Sequence, residues 1–95
     1  MTSEPIHFLS RRNCPLCDRG HAALLAAANR AGVAVSEFDV DEDDRLRQLY
    51  GERVPVVLYR GRLLAEGRID PVALSLALEA TLSLRDGPDD SVTAS

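Results

Sequence analysis

Arg11-Arg12-Asn13-Cys14-Pro15-Leu16-Cys17 constrains this chain more than any other stretch. It holds both cysteines of a 95-residue sequence, two residues apart. It follows the apolar, strand-like run Ile6-His7-Phe8-Leu9. It leads into residues 18–30, which are rich in Ala and Leu and contain no β-branched residue, so a helix is expected there. A disulfide closing so short a loop is worth only about 2 kcal/mol in chain entropy before strain is subtracted, so the pair is a poor structural staple. Cys-x-x-Cys at a strand-to-helix junction is a redox signature when a βαβ pattern surrounds it.

That pattern is present. Residues 6–10 read as a buried strand, and the helix after the cysteines closes at Gly32, a C′ residue preceded by Arg30 in the last turn. Residues 33–40 alternate as a second strand, which a right-handed crossover lays parallel to the first. The acidic run 41–44 precedes Leu46, Leu49 and Tyr50 and suits a helix N-terminus capped by Asp41 or Asp43 better than a metal site. Gly51 ends that helix. Residues 53–59 form a strand with Pro55 at its start, Arg60-Gly61 a two-residue turn, and residues 62–65 the returning strand. A turn at 67–70 leads to Asp70-Pro71, a cap and first helical residue. Residues 72–84 alternate like a strand at 72, 74, 76 and 78, but length, Leu and Ala content and capping favour a helix. Residues 85–95 are polar and are expected to form a disordered tail.

The expected architecture is one α/β domain over residues 1–84, in the order βαβ-α-ββα. Its four strands form one mixed sheet in the order 2-1-3-4, with helices on both faces, giving three layers. The net charge of −4 disfavours nucleic acid as a partner, because that needs a concentrated basic patch. No apolar run approaches the roughly 18 residues of a membrane span, and no targeting segment is visible. A cytoplasmic monomer, without membrane or nucleic-acid partners, is the expectation.

The chemistry follows from the helix. Cys14 falls at its start, where free N–H groups and the dipole favour a thiolate by up to about 2 kcal/mol. Arg11 and Arg12 stand close by as cationic partners. Cys14 is therefore the expected nucleophile and Cys17, one turn further in, the resolving thiol. Zinc would need four ligands, and the sequence offers only His7 and His21 beside the cysteines, so no metal site is expected.

With these residues in view, the chain resembles the thioredoxin-fold superfamily, and among its members the small bacterial glutaredoxin-like proteins, over residues 5–84. Cys14-Pro15-Leu16-Cys17 is similar to the glutaredoxin C-P-x-C. Arg11 stands three residues before the first cysteine, where those proteins often carry Lys. Val54-Pro55 resembles their Val-Pro with a cis peptide bond, and Gly67-Arg68-Ile69-Asp70 resembles the Gly-containing turn before the last helix. The resemblance implies a thioredoxin-like fold and a thiol–disulfide oxidoreductase with no tightly bound cofactor. Glutathione is then a candidate co-substrate, and the partner a disulfide-containing protein or a glutathione mixed disulfide. It places Arg11, Arg12, Pro15, Leu16, Val54, Pro55, Gly67 and Arg68 in the substrate site, with the segment from Arg53 to Pro55 facing Cys14. Leu16 replaces the usual aromatic residue, Arg53 the usual Thr, Glu66 one Gly, and Ile69 the first acidic residue of the turn. Two other functions fit the same fold: an iron–sulfur carrier in which Cys14 of two chains binds a cluster, and a redox-insensitive interaction module.

Overall fold

The computed structural model describes residues 4–84. The expected disordered tail lies outside them. In order, the elements are β1 (Ile6–Ser10), α1 (Pro15–Ala31), β2 (Val35–Asp39), a 3₁₀ turn (Val40–Glu42), α2 (Asp44–Tyr50), β3 (Val56–Tyr59), β4 (Arg62–Glu66) and α3 (Pro71–Leu84). The four strands form one sheet in the order β2-β1-β3-β4, a thioredoxin-like α/β fold. β1 and β2 run parallel, with Ile6 opposite Val35 and Ser10 opposite Asp39. β3 is antiparallel to both β1 and β4.

Alternation along the central strands divides the core between two faces. Ile6 and Phe8 of β1 and Val57 and Tyr59 of β3 point towards α1 and α3, where they meet Leu24, Ala27, Ala28, Leu74 and Leu78. Leu9 and Val56 point the other way and are covered by Val40, Leu46 and Tyr50. Each such large apolar side chain contributes roughly 1.5–3 kcal/mol on burial.

Three elements start at least two residues away from the sequence reading, each for a local reason. α1 begins at Pro15, whose missing N–H is harmless in a first turn, so both cysteines belong to the helix start. β2 covers only residues 35–39, because Val33 closes the helix, its N–H on Ala28 O at 3.0 Å, and Val40 turns into the far-side core. β3 begins after Pro55, which has no N–H for the ladder. The β3–β4 turn has both central residues in the left-handed region, Arg60 at φ 54° and Gly61 at φ 75°, the geometry that matches strand twist.

Candidate functional site

Asn13 turns the chain from β1 into α1 with φ 55°, a conformation that Asn tolerates better than most side chains. Cys14 follows as the N-cap of α1, in extended conformation. Its Sγ accepts the Cys17 N–H at 3.1 Å, so the sulfur satisfies one of the unpaired donors of the first turn. Cys14 and Cys17 are joined by a disulfide, with their Cα atoms 5.1 Å apart. The two sulfurs differ in access: Cys14 is half-buried, whereas Cys17 is only 3% exposed. Pro15 is exposed beside them and Leu16 half-buried.

The structure pairs Arg11 with acceptors away from the cysteines. Its Nη2 and Nε donate to the two carboxylate oxygens of Asp41 at 2.8 and 3.2 Å, and Nη1 donates to Gly51 O at 2.8 Å. Asp41 thus anchors the Cys loop to the segment around α2, and the hydrogen bond from Arg11 holds its carboxyl below the usual aspartate range. The same hydrogen bond raises Arg11 further above its ordinary value. Of the two residues offered as caps for α2, Asp43 does the work: its Oδ1 accepts from Arg45 and Leu46 N–H at 2.9 and 3.1 Å. Arg12 is mostly exposed, 3.9 Å from Asp39.

Pro55 stands immediately before β3. The Val54–Pro55 peptide bond is cis, and Pro55 is buried. Its carbonyl accepts the Gly67 N–H at 2.8 Å, which ties it to the turn before α3. On the other side it rests on α1 at Gly20, where a β-carbon would come within 3.2 Å of Pro55 Cγ. Gly20 is three residues after Cys17 and shares its flank of the helix. Pro55 therefore joins the Gly67 turn to the flank of α1 one turn beyond Cys17. Val54 precedes Val56, the first β3 residue paired with β1, so its peptide groups stand outside that ladder. Arg53 bridges outward, with Nε on Glu66 Oε1 at 2.7 Å and its guanidinium over the Tyr50 ring. Arg68 is exposed.

Sequence reasoning did not single out Gly20 or the contacts of Ile69. The signal for Gly20 was a lone Gly inside a helical run, which often marks close packing. Ile69 packs on Gly20 and on the core, filling with a branched apolar group the position expected to be acidic in a glutathione site. His7 and His21 do not converge. His7 packs edge-on against Phe38 on the α2 side of the sheet, and His21 tilts over Phe8 on the α1 side.

Residues 5–79 match the glutaredoxin-like domain family (DUF836). The chain belongs to that family. No curated protein matches it. Among solved structures, the protein XcR50 from X. campestris is 34% identical, with a TM-score of 0.68 over 79% of this chain and 96% of that one. Ne2328 from Nitrosomonas europaea is 22% identical, with a TM-score of 0.69 over 85% and 93% of the two chains. Thioredoxin 1 from Thermosipho africanus is 16% identical, with a TM-score of 0.64 over 85% and 97%, a likeness of fold alone. For this glutaredoxin-like domain, the family, the fold and the bonded Cys14–Cys17 pair together support a redox-type function. Among the described residues, no helix is long and apolar enough to cross a membrane.

Proposed function

We propose that this glutaredoxin-like protein is a dithiol thiol–disulfide oxidoreductase whose substrate is a disulfide carried on extended polypeptide. The observation that carries the reading is the asymmetry of the bonded pair. One sulfur is accessible and capped by a helix N–H, and its partner is buried directly behind it. In the reduced protein the Cys14 thiolate attacks the substrate disulfide, and the first substrate sulfur leaves as a thiol. Cys17 then attacks Cys14, forming the intramolecular disulfide and releasing the second substrate thiol. An external thiol reductant returns the pair to the dithiol.

The preference for polypeptide rests on the walls of the site. Leu16 beside Cys17 and Ile69 beside Gly20 are half-buried and apolar, and Ile69 offers no carboxylate to an amino group. Val54, outside the ladder, offers peptide groups to an added strand. Arg11, occupied by Asp41 and Gly51, positions the Cys loop.

Trapping tests this reading. Cys17→Ser is expected to accumulate a covalent adduct with a disulfide-bonded peptide, visible by mass spectrometry, and Cys14→Ser to form none. Equal inactivity of both variants, with no adduct, would refute it. Glutathione disulfide turned over faster than the peptide would refute the substrate preference alone.

A further inference from the structure

We infer that His21 takes the proton from Cys17 when the mixed disulfide is resolved, and that Glu37 positions its imidazole. The inference rests on the dithiol reading above. Cys17 is 3% exposed, so solvent has little access to its sulfur, yet only a thiolate attacks a disulfide. A nearby acceptor is required.

His21 is four residues further along α1, one turn from Cys17 and on the same flank. Helical side chains lean towards the N-terminus, so its ring is directed towards the turn that carries Cys17. Two strands fix the ring. It tilts against Phe8 of β1 with centroids 5.1 Å apart, and its Nε2 stands 3.8 Å from Glu37 Oε1 of β2. Glu37 is held in turn, because its other oxygen accepts the Ser10 hydroxyl at 3.0 Å. Ser10 is 7% exposed, so its only side-chain hydrogen bond among the described residues is spent on this carboxylate. Phe8 and Glu37 are partners in the parallel ladder, which places ring support and carboxylate side by side. Glu37 is the charged group facing His21 from the sheet. Phe8 and Ser10 are neutral, Asp18 is the acid on α1 itself, and Arg12 and Asp39 pair with each other at the end of β2.

The step balances. Cys14 Sγ is bonded to the substrate sulfur. The Cys17 S–H proton passes to the imidazole, and the thiolate attacks Cys14 Sγ. The Cys14–Cys17 bond forms as the Cys14–substrate bond breaks, and the electron pair leaves on the substrate sulfur, which takes up a proton. Glu37 balances the charge of the imidazolium while it lasts. The protein dithiol loses two electrons over the cycle, and the substrate disulfide gains them.

Rapid mixing of the reduced protein with 5,5′-dithiobis(2-nitrobenzoate) separates the two steps. Attack by Cys14 releases one coloured thiolate, and resolution by Cys17 releases the second. If the wild type releases no fast first equivalent, or no second one, the dithiol reading itself falls. Given both phases, His21→Phe, which keeps a ring against Phe8, and His21→Gln should leave the first phase intact. Both should slow the second about tenfold or more at neutral pH. The pH dependence of the second phase should differ between the wild type and the variants. Added imidazole should restore part of their rate. An unchanged second phase, or slowing with the pH profile retained and no rescue, overturns the assignment. Should both His21 variants also lose the first phase, Glu37→Gln decides: slowing confined to the second phase supports the role, and an unchanged second phase overturns it.

Discussion

Gly20 lies where Pro55 needs open space: a β-carbon at position 20 would stand 3.2 Å from Pro55 Cγ. It would also stand 2.9 Å from Ile69 Cδ1. The Ile69 methyl is the end of a flexible side chain and can move, whereas Pro55 is held by Gly67. Gly20→Ala adds a contact but gains about 1 kcal/mol of helix propensity, so its stability should stay close to wild type. Gly20→Val overpacks the same space and should cost about 1–3 kcal/mol in chemical denaturation. Because position 20 packs against Pro55, Gly20→Val should also slow disulfide exchange. A Val variant with wild-type stability and rate would show that Pro55 is not pressed against the helix.

The Arg11–Asp41 pair predicts an acid dependence. Arg11 holds the Asp41 carboxyl below its ordinary range, so the native state favours the ionised form more than the unfolded chain does. Stability from the pair is therefore complete above the unfolded value of about 3.9 and is lost as pH falls through the lower, folded value. Wild type should exceed Asp41→Asn in denaturation midpoint at neutral pH, and the gap should close in strong acid. A gap that widens with acid contradicts the sign. Both side chains are well exposed, so high salt should narrow the gap at neutral pH.

Most of the architecture was legible because the strong signals are local. Gly32 at φ 73° ends α1 where a C′ glycine was expected, and Asp70 Oδ1 accepts the Val72 N–H at 3.1 Å as the cap of α3. The ambiguity over residues 72–84 also has a physical cause. Leu74 and Leu78 are buried, while Val72 and Leu76, which alternate with them in sequence, are 67% and 62% exposed, so apolar residues on both sides of one helix imitate a strand. What stayed hidden is long-range. Arg11 and Asp41 are thirty residues apart, and nothing in either neighbourhood announces the other. Gly20, Pro55 and Ile69 meet only after the sheet has formed. The cysteine turn could be read because its chemistry is carried by adjacent residues.

Asp43 should be the member of the acidic run that matters most to α2. Its Oδ1 accepts two N–H groups of the first turn, whereas Asp44 faces Arg47 on the surface at 2.7 Å. α2 has seven residues, too few to form without a cap and packing, and Leu46 and Tyr50 depend on it to cover the far side of the sheet. Asp43→Ala should cost about 1 kcal/mol, and Asp43→Asn or Asp43→Ser much less. Asp44→Ala should fall within about 0.5 kcal/mol of wild type, as surface substitutions usually do. Thermal unfolding of the four variants tests the order, and equal losses at 43 and 44 would show that charge rather than capping supports the helix.

The same asymmetry that supports the exchange reaction fixes the order of alkylation in the reduced protein. Cys14 is half-buried at the helix start and its sulfur faces the Cys17 N–H, an arrangement that also suits a thiolate. Cys17 is enclosed, with 3% exposure, and must wait for local opening before a reagent reaches it. Limiting iodoacetamide should therefore modify Cys14 first, at least about tenfold faster than Cys17, as read by peptide mass spectrometry. Gly20→Val should narrow that ratio, because it disturbs the packing on the Cys17 flank of α1 while leaving the cap at Cys14 in place. Preferential labelling of Cys17 would reverse the roles of nucleophile and resolving thiol.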